Sequence, residues 1–191
     1  MKRLVVLVSG GGSNLQALLD AIADRRLPAT VALVISNRVD AFGLERARRA
    51  GIATLCMPLA AAASRIDYDT QLAEHIARAR PDLVVLAGWM HILSPAFLDR
   101  CPVKVINLHP ALPGAFPGTN AIERALAAFR RGEIAATGVM VHEVIPEVDA
   151  GPVLGTAAVI ILPTDDMTSL SERMHTAEHR LLVDVVANIV T

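Results

Sequence analysis

An amide, an imidazole and a carboxylate in the second half of the chain are the functional groups that acyl transfer needs. Asn107 and His109 follow the apolar run 103–106, which predicts a buried strand. Side chains alternate along a strand, so both should point the same way at its carboxyl end, where open α/β sheets keep their active sites. Asp149, in the turn 147–152, could pair with the imidazole. We expect the amide to stabilise an oxyanion and the imidazole to carry a proton.

A glycine-rich loop near the amino terminus could hold a phosphate. Its sequence, Ser-Gly-Gly-Gly-Ser-Asn at 9–14, follows the predicted strand 4–8 and precedes a helical pattern. Leu15 occupies the third glycine position of a dinucleotide fingerprint, and no Gly-Lys-Ser/Thr of a triphosphate loop is present. We predict that the backbone N–H groups of the loop, with Ser13 and Asn14, bind a single phosphate. The alternative is a tight turn in which Ser13 or Asn14 only caps the helix.

The remaining histidines are less informative. His75 lies within a helical pattern, where a surface position is expected. His175 and His179 have the spacing to share a metal, but no third ligand is evident, so we predict no metal site. His142 alternates with apolar residues on a predicted strand, and structural and functional roles are both open for it. His91 is ambiguous from the residues alone.

Hydrophobic periodicity predicts strands that alternate with helices over the first part of the chain. Such alternation implies βαβ crossovers and an open, mostly parallel, twisted α/β sheet with helices on both faces, a Rossmann-like architecture. From Thr137 onward the pattern changes to two strands joined by the Asp149 turn, which we expect as antiparallel additions, and then a long helix. The predicted strands are 4–8, 31–35, 53–57, 82–87, 103–106, 138–145 and 153–161, and the predicted helices are 15–22, 43–50, 67–79, 95–99 and 166–186.

Composition limits the class of protein. The length of 191 residues and the hydrophobic content of 53% predict a single domain with a sizeable core. A net charge of −1 argues against broad binding to nucleic acids or anionic membranes. Cys56 and Cys101 are too few for a disulfide framework, and neither a signal peptide nor a membrane-spanning run is evident. We expect a cytoplasmic enzyme of small molecules, as a monomer or a homodimer.

Four motifs in order give the chain a resemblance to a known family. They are Ser-Gly-Gly-Gly-Ser-Asn-Leu-Gln at 9–16, Ala-Gly-Trp-Met-His-Ile-Leu-Ser-Pro at 87–95, Asn-Leu-His-Pro at 107–110 and Val-Asp-Ala-Gly at 148–151. Across nearly its whole length the chain is similar to the phosphoribosylglycinamide formyltransferases. The resemblance implies transfer of a formyl group from 10-formyltetrahydrofolate, as co-substrate, to the amine of 5-phosphoribosylglycinamide, a step of purine (IMP) biosynthesis. It also implies that no metal takes part.

The same resemblance assigns roles to individual residues and to the two halves of the domain. It implies a phosphate-binding half over 1–100 and a catalytic and folate-binding half over 101–191. Many members of the family carry Arg where this chain has His91, so the resemblance does not extend to a salt bridge between this position and the folate tail. The implied residues are Gly12, Ser13, Asn14 and Glu178 for the phosphoribosyl substrate, Arg65, Met90, His91, Ile92, Leu93 and Asn107 for the folate, and Asn107, His109 and Asp149 for catalysis.

Formyl transfer between amines does not require a serine or cysteine nucleophile, because the substrate amine can attack the formyl carbon directly. Asn107 can donate to the developing oxyanion, and His109 in its cationic form can supply the proton for the leaving nitrogen. We expect Asp149 to favour the imidazolium, and so to raise the pKa of His109.

Three other readings use the same residues. Hydrolysis of 10-formyltetrahydrofolate would replace the amine with water, but its known enzymes carry an extra amino-terminal domain, whereas this chain begins at its first predicted strand. Formylation of an initiator tRNA would call for a further carboxy-terminal domain and more positive charge. A non-catalytic nucleotide- or folate-binding module would not need Asn107, His109 and Asp149 together with the phosphate loop.

Overall fold

The computed structural model describes all 191 residues, which form one sheet flanked by helices. A single 3-10 turn, Leu59–Ala61, precedes the third helix. The strands are β1 (Lys2–Val8), β2 (Ala29–Ser36), β3 (Thr54–Cys56), β4 (Leu83–Leu86), β5 (Val105–His109), β6 (Ala136–Glu143) and β7 (Val153–Ile160). The helices are α1 (Ser13–Ala23), α2 (Phe42–Arg49), α3 (Arg65–Ala79), α4 (Pro95–Leu98), α5 (Ala121–Arg130) and α6 (Met167–Val190).

The seven strands follow the order β3-β2-β1-β4-β5-β6-β7. The pairs among β1 to β5 are parallel, while β6 pairs antiparallel with both β5 and β7. The predicted fold class is therefore confirmed, including the antiparallel additions towards the carboxyl end of the chain. The order reverses direction between β1 and β4, and open α/β sheets bind their ligands at such a switch point.

Alternate side chains of β1 supply two hydrophobic cores, one on each face of the sheet. Leu4, Val6 and Val8 pack in a cluster with apolar residues of α1, α2, α5 and α6. Val5 and Leu7 point to the opposite face, into a cluster with residues of α3 and α4. The near-continuous apolar sequence of β1 follows from this burial on both sides.

Three local features differ from the sequence predictions. β5 extends through His109, so Asn107 and His109 lie within the strand and not after it, because β6 pairs with them across the antiparallel ladder. Helix α1 is capped by Gly12 and by neither Ser13 nor Asn14, which rules out the side-chain cap as the purpose of those residues. The helix α5 was not predicted. Among the helices, none is both long and apolar enough to cross a membrane.

Candidate active site

Three loops with predicted functions leave the same edge of the sheet side by side. In the ladder, Leu7 of β1 lies beside Leu86 of β4, which lies beside Asn107 of β5. The glycine-rich loop follows β1, and the predicted folate segment 90–93 follows β4. Parallel pairing therefore gathers the predicted phosphate loop, the predicted folate segment and the amide of Asn107 at adjacent strand ends, although they are far apart in the sequence.

Asp149 is the centre of a cluster formed by the three predicted catalytic side chains. Its Oδ2 lies 3.4 Å from Nδ1 of His109 and accepts the N–H of Gly118 at 2.8 Å. Its Oδ1 accepts from Nδ2 of Asn107 at 3.3 Å. The residue adopts a positive φ of 53°, a backbone conformation that aspartate tolerates better than most residues. The structure thus brings together the amide, imidazole and carboxylate that the sequence predicted.

His109 is 4% exposed, and both of its ring nitrogens face acceptors. Nε2 lies 3.1 Å from the carbonyl oxygen of Phe116, whose φ of 48° is unusual for a bulky side chain. Burial lowers the pKa of His109, and this effect outweighs the opposing influences of Asp149 and of the Phe116 carbonyl. Asp149 thus raises this pKa, as expected, but desolvation is stronger, so the net change is a decrease. The ring is mainly neutral at neutral pH and close to two acceptors that would stabilise its cation.

The carboxylate of Asp149 keeps its charge in this half-buried position. Burial by itself would raise its pKa, but the pKa is lowered, because His142 and the Gly118 N–H bond to the carboxylate and two imidazoles lie beside it. A neutral imidazole next to a permanent anion suits reversible proton transfer, since a proton gained by His109 is stabilised where it arrives.

His142 is a member of this cluster that the sequence left undecided. Register places it opposite Asn107, and its side chain is 2% exposed. Nδ1 donates to the carbonyl of Glu143 at 2.8 Å, and Nε2 lies 3.1 Å from Asn107 Nδ2 and 3.4 Å from Asp149 Oδ1. A neutral ring accepts from Asn107, and a protonated ring donates to Asp149. The available signal was a histidine on an otherwise apolar strand, but only the pairing of β5 with β6 reveals its partners.

The glycine-rich loop presents an uncapped helix terminus. Gly12 has a φ of 70°, and a Cβ on it would lie 2.6 Å from the Cα of Gly43. The first backbone bond of α1 runs from Gln16 N–H to Gly12 O at 3.0 Å, and no side chain caps the helix. The preceding N–H groups are therefore free to point at an anion, and the helix dipole favours negative charge there.

Charged side chains surround this helix terminus. Arg46 donates to the carbonyl of Gly11 at 2.8 Å and to Gln16 Oε1 at 3.1 Å, holding the outer side of the loop. A cleft of about 500 Å³ runs from Ser13 along α1 and α6, and the charged residues that line it are the cations Arg26, Arg46 and Arg180 and the anions Asp20 and Asp184. The cations make this end of the site favourable for a phosphate group.

Glu178 on α6 lies against the same loop. Asn14 donates to its Oε2 at 2.9 Å. The pKa of this carboxyl group is raised, because the effect of burial is larger than the opposite effects of the Asn14 bond and of the nearby His175. The predicted phosphate-loop and ribose residues are therefore in direct contact, although they are 164 positions apart. A buried carboxyl group that can accept hydrogen bonds suits the recognition of hydroxyl groups.

The predicted folate residues form a second surface at the same sheet edge. Met90 and Ile92 are 64% and 63% exposed, unusually high for apolar side chains, whereas Leu93 is buried. Arg65 on α3 donates through Nη2 to the carbonyl of Ile92, which brings it to the segment 90–93. Burial and the nearby Arg65 lower the pKa of His91. The His91 imidazole is therefore harder to protonate than a free histidine.

Two observations favour an aromatic, hydrogen-bonding ligand at this surface. Exposed Met90 and Ile92 offer apolar contact, and the buried atoms Trp89 Nε1 and His91 Nδ1 have no hydrogen-bond partner within the protein. Pterin rings combine a flat apolar face with polar edges, so the chemistry of these residues fits a folate. No group of three or more His, Cys, Asp or Glu side chains could hold a metal ion, and His175 and His179 form only a stacked pair.

A sequence model described as "Formyl transferase" matches residues 2–186 of the chain. The chain belongs to the formyl transferase family. It is 49% identical to the phosphoribosylglycinamide formyltransferase of Schizosaccharomyces pombe over 98% of this chain and 97% of that protein. It is 43% identical to the protein of the same name in Escherichia coli, over 96% of this chain and 85% of that protein. Membership of the family makes the chain a group-transfer enzyme.

The fold agrees with a solved member of the family. The glycinamide ribonucleotide transformylase 1 of Symbiobacterium toebii superposes with a TM-score of 0.92 at 43% identity, over 98% of this chain and 86% of that one. The seven-stranded formyltransferase sheet, with its antiparallel carboxy-terminal additions, is thus a property of the family.

Proposed function

We propose that this formyltransferase is a phosphoribosylglycinamide formyltransferase of purine biosynthesis. It would transfer the formyl group of 10-formyltetrahydrofolate to the amine of 5-phosphoribosylglycinamide and yield formylglycinamide ribonucleotide on the route to IMP. The relatives that align along the whole chain carry this name. The main structural support is the pairing of Leu7, Leu86 and Asn107 on three neighbouring strands. As a result, an anion loop, an apolar ligand surface and a proton-transfer cluster lie at adjacent strand ends.

The catalytic cluster accounts for direct transfer between two nitrogen atoms. A C–N bond forms between the substrate amine and the formyl carbon, the bond from that carbon to N10 of the folate breaks, and the proton lost by the amine ends on N10. Neutral His109 can accept the amine proton and return it to the leaving nitrogen, with Asp149 stabilising the transient imidazolium. The two amide hydrogens of Asn107 face His142 and Asp149 in the free enzyme, and one of them would turn towards the oxyanion during the reaction.

Substrate binding divides between the two surfaces. Gly12, Ser13 and Asn14 would hold the substrate phosphate through N–H groups of the loop, and Glu178 would accept the ribose hydroxyls. The formyl-folate would supply the activated one-carbon group. Its binding residues would be Arg65, Met90, His91, Ile92, Leu93 and Asn107.

We further propose that the enzyme works in the cytoplasm on these small molecules, without nucleic acid, membrane or metal, as a monomer or a homodimer. A net charge of −1 provides no broad cationic surface for polyanions.

One assay separates this function from its rivals. Purified enzyme is incubated with 10-formyltetrahydrofolate, with and without 5-phosphoribosylglycinamide, and loss of the formyl-folate is followed. We expect turnover only when the amine is present. Turnover without the amine would identify a hydrolase, and turnover only on addition of initiator tRNA would identify a tRNA formyltransferase.

A further inference from the structure

Asp69 on α3 is a fully buried acidic side chain that the proposed reaction does not use. Its exposure is 0%, and it lies between Tyr68 and Leu72, both part of the apolar core on that face. Oδ2 accepts from Arg65 Nε at 3.0 Å and from the backbone N–H of Ser94 at 3.3 Å, while Oδ1 has no partner. Burying a carboxyl group is costly, and replacing a buried ion pair as a whole by apolar residues is often neutral or stabilising. Stability alone therefore gives no reason for an acid here.

Both partners of Asp69 belong to the proposed folate surface. Arg65 also donates to the carbonyl of Ile92, and Ser94 ends the segment that carries the exposed apolar side chains. At the other end of that segment, the Met90 N–H donates to Ser9 Oγ at 2.8 Å. The start of segment 90–94 is thus held by Ser9, in the loop after β1. Asp69 holds the rest of the segment, directly at Ser94 and through Arg65 at Ile92.

This attachment keeps apolar side chains in solvent. Burial of Met90 and Ile92 against the protein would be favourable, because roughly two-thirds of each residue is exposed to solvent. The bonds to the backbone at Ile92 and Ser94 oppose such a collapse, and they constrain the guanidinium of Arg65 at the same time. A pre-organised surface binds its ligand more tightly, since the ordering cost is met before binding.

We infer that Asp69 is a positioning residue for the formyl-folate, which orients Arg65 and holds segment 90–94 in its ligand-binding conformation. The inference rests on the proposed function, because that function assigns the folate to this segment. Asp69 itself, sealed beneath the surface, does not touch the ligand.

The test is steady-state kinetics of Asp69→Leu with both substrates varied. We expect the KM for 10-formyltetrahydrofolate to rise about tenfold or more, as for loss of a charge-assisted hydrogen bond. The KM for 5-phosphoribosylglycinamide and kcat should stay within about twofold, and thermal stability should fall, because Arg65 and the Ser94 N–H lose their acceptor. Asp69→Asn should raise the folate KM less, by about threefold, because an amide oxygen can still accept both bonds.

Glu74→Leu is the matched control. Glu74 and Arg78 form the same carboxylate–arginine pair, four residues apart on the same helix at 3.1 Å, but both side chains are more than half exposed. This substitution should leave both KM values unchanged. Comparison of Glu74→Leu with Asp69→Leu therefore shows whether an effect comes from the loss of any acidic side chain on α3 or from the loss of the bonds to segment 90–94.

Two results would overturn the inference in an active enzyme. One is an unchanged folate KM in Asp69→Leu, and the other is an equal fall of kcat/KM for both substrates, as a merely structural role predicts. If Asp69→Leu does not fold, Ser94→Pro is compared with Ser94→Ala; both lose the hydroxyl, but only Pro lacks the N–H, and the native φ of −75° suits proline. Equal folate KM values for Ser94→Pro and Ser94→Ala would then overturn the inference about Asp69.

Failure of the proposed function would be distinguishable, because the wild-type enzyme would show no amine-dependent turnover. The inference would then be judged by calorimetric titration with tetrahydrofolate. Wild-type affinity at least about tenfold above that of Asp69→Leu would support it, and equal affinities or no binding would reject it.

Discussion

The catalytic cluster and the binding surfaces beside it differ in how their polar groups are satisfied. Both oxygens of Asp149 accept N–H groups, and every ring nitrogen of His109 and His142 lies within 3.4 Å of a polar group of the protein. At the binding surfaces, by contrast, Asn14 Oδ1, Trp89 Nε1 and His91 Nδ1 are buried without partners. Native proteins pair nearly all buried polar groups, so these exceptions mark places that require explanation.

The difference separates two functions of a site. Internal hydrogen bonds hold the proton-transfer groups within a narrow range of geometry, which catalysis requires before the substrate arrives. Binding surfaces retain unpaired donors, acceptors and exposed apolar side chains, which lower stability but increase affinity for a complementary ligand. Substitutions in the cluster should therefore change kcat, and substitutions at the surfaces should change KM.

Asp149→Asn should have the largest effect, because it breaks the centre of the cluster. We expect kcat to fall about 1000-fold with little change in either KM. The carboxylate opposes the lowering of the His109 pKa by burial, so its loss should lower that pKa further. Because the ring must be unprotonated to accept a proton, the variant should keep its activity to a lower pH. The acid limb of the kcat profile, measured from about pH 5 to about pH 9, should therefore shift to lower pH values. Full activity with an unchanged profile would remove the trio from the mechanism.

Asn107→Ala should follow, with a loss of kcat of about 100-fold, as for removal of one oxyanion donor. The amide also donates to Asp149, so part of the loss would come from the disturbed carboxylate. A double-mutant cycle with Asp149→Asn measures that part. Fully additive losses would show that Asn107 acts on the oxyanion alone, and a loss confined to KM would contradict a catalytic role.

Gly12→Ala tests the phosphate loop and should mainly affect substrate binding. The new methyl group would collide with the Gly43 backbone, so the loop must move, and we expect the KM for 5-phosphoribosylglycinamide to rise about 30-fold. Gly51→Ala is the control, since Gly51 has the same φ of 70° but open space around its Cβ position. It should cost about 1 kcal/mol of stability without a change in KM. Equal KM values in the two variants would argue against a phosphate site at this loop.

Glu178→Gln should have the smallest kinetic effect of these substitutions, and it should stabilise the folded protein at neutral pH. We expect the KM for 5-phosphoribosylglycinamide to rise about fivefold, as for one weakened hydrogen bond. Burial raises the pKa of Glu178 above its unfolded value, so the folded protein holds the extra proton and loses stability as pH rises through that window. Gln removes this dependence and should increase the free energy of unfolding at neutral pH. Urea titrations of both proteins at about pH 5 and about pH 8 would check this; an equal pH dependence would contradict it.

Local sequence predicted much of the fold. The β-branched run 4–8, the glycine cluster and the helical spacing from 15 onward depend on neighbouring residues, so the first strand, loop and helix were found with bounds shifted by only a few residues. The sequence analysis did not predict the helix α5, although Ile122, Ala125, Leu126 and Phe129 have the spacing of one apolar helix face, which packs into the core.

By itself, the sequence determined the type and order of the elements other than α5, and the chemical groups at the ends of three strands. The tertiary structure alone decided that His142 joins the cluster, that Asp69 holds Arg65 and Ser94, and that His109 is mainly neutral. The physical reason is that these properties depend on burial and on partners from distant segments. Desolvation of His109 outweighs Asp149 only because the folded chain excludes water from both.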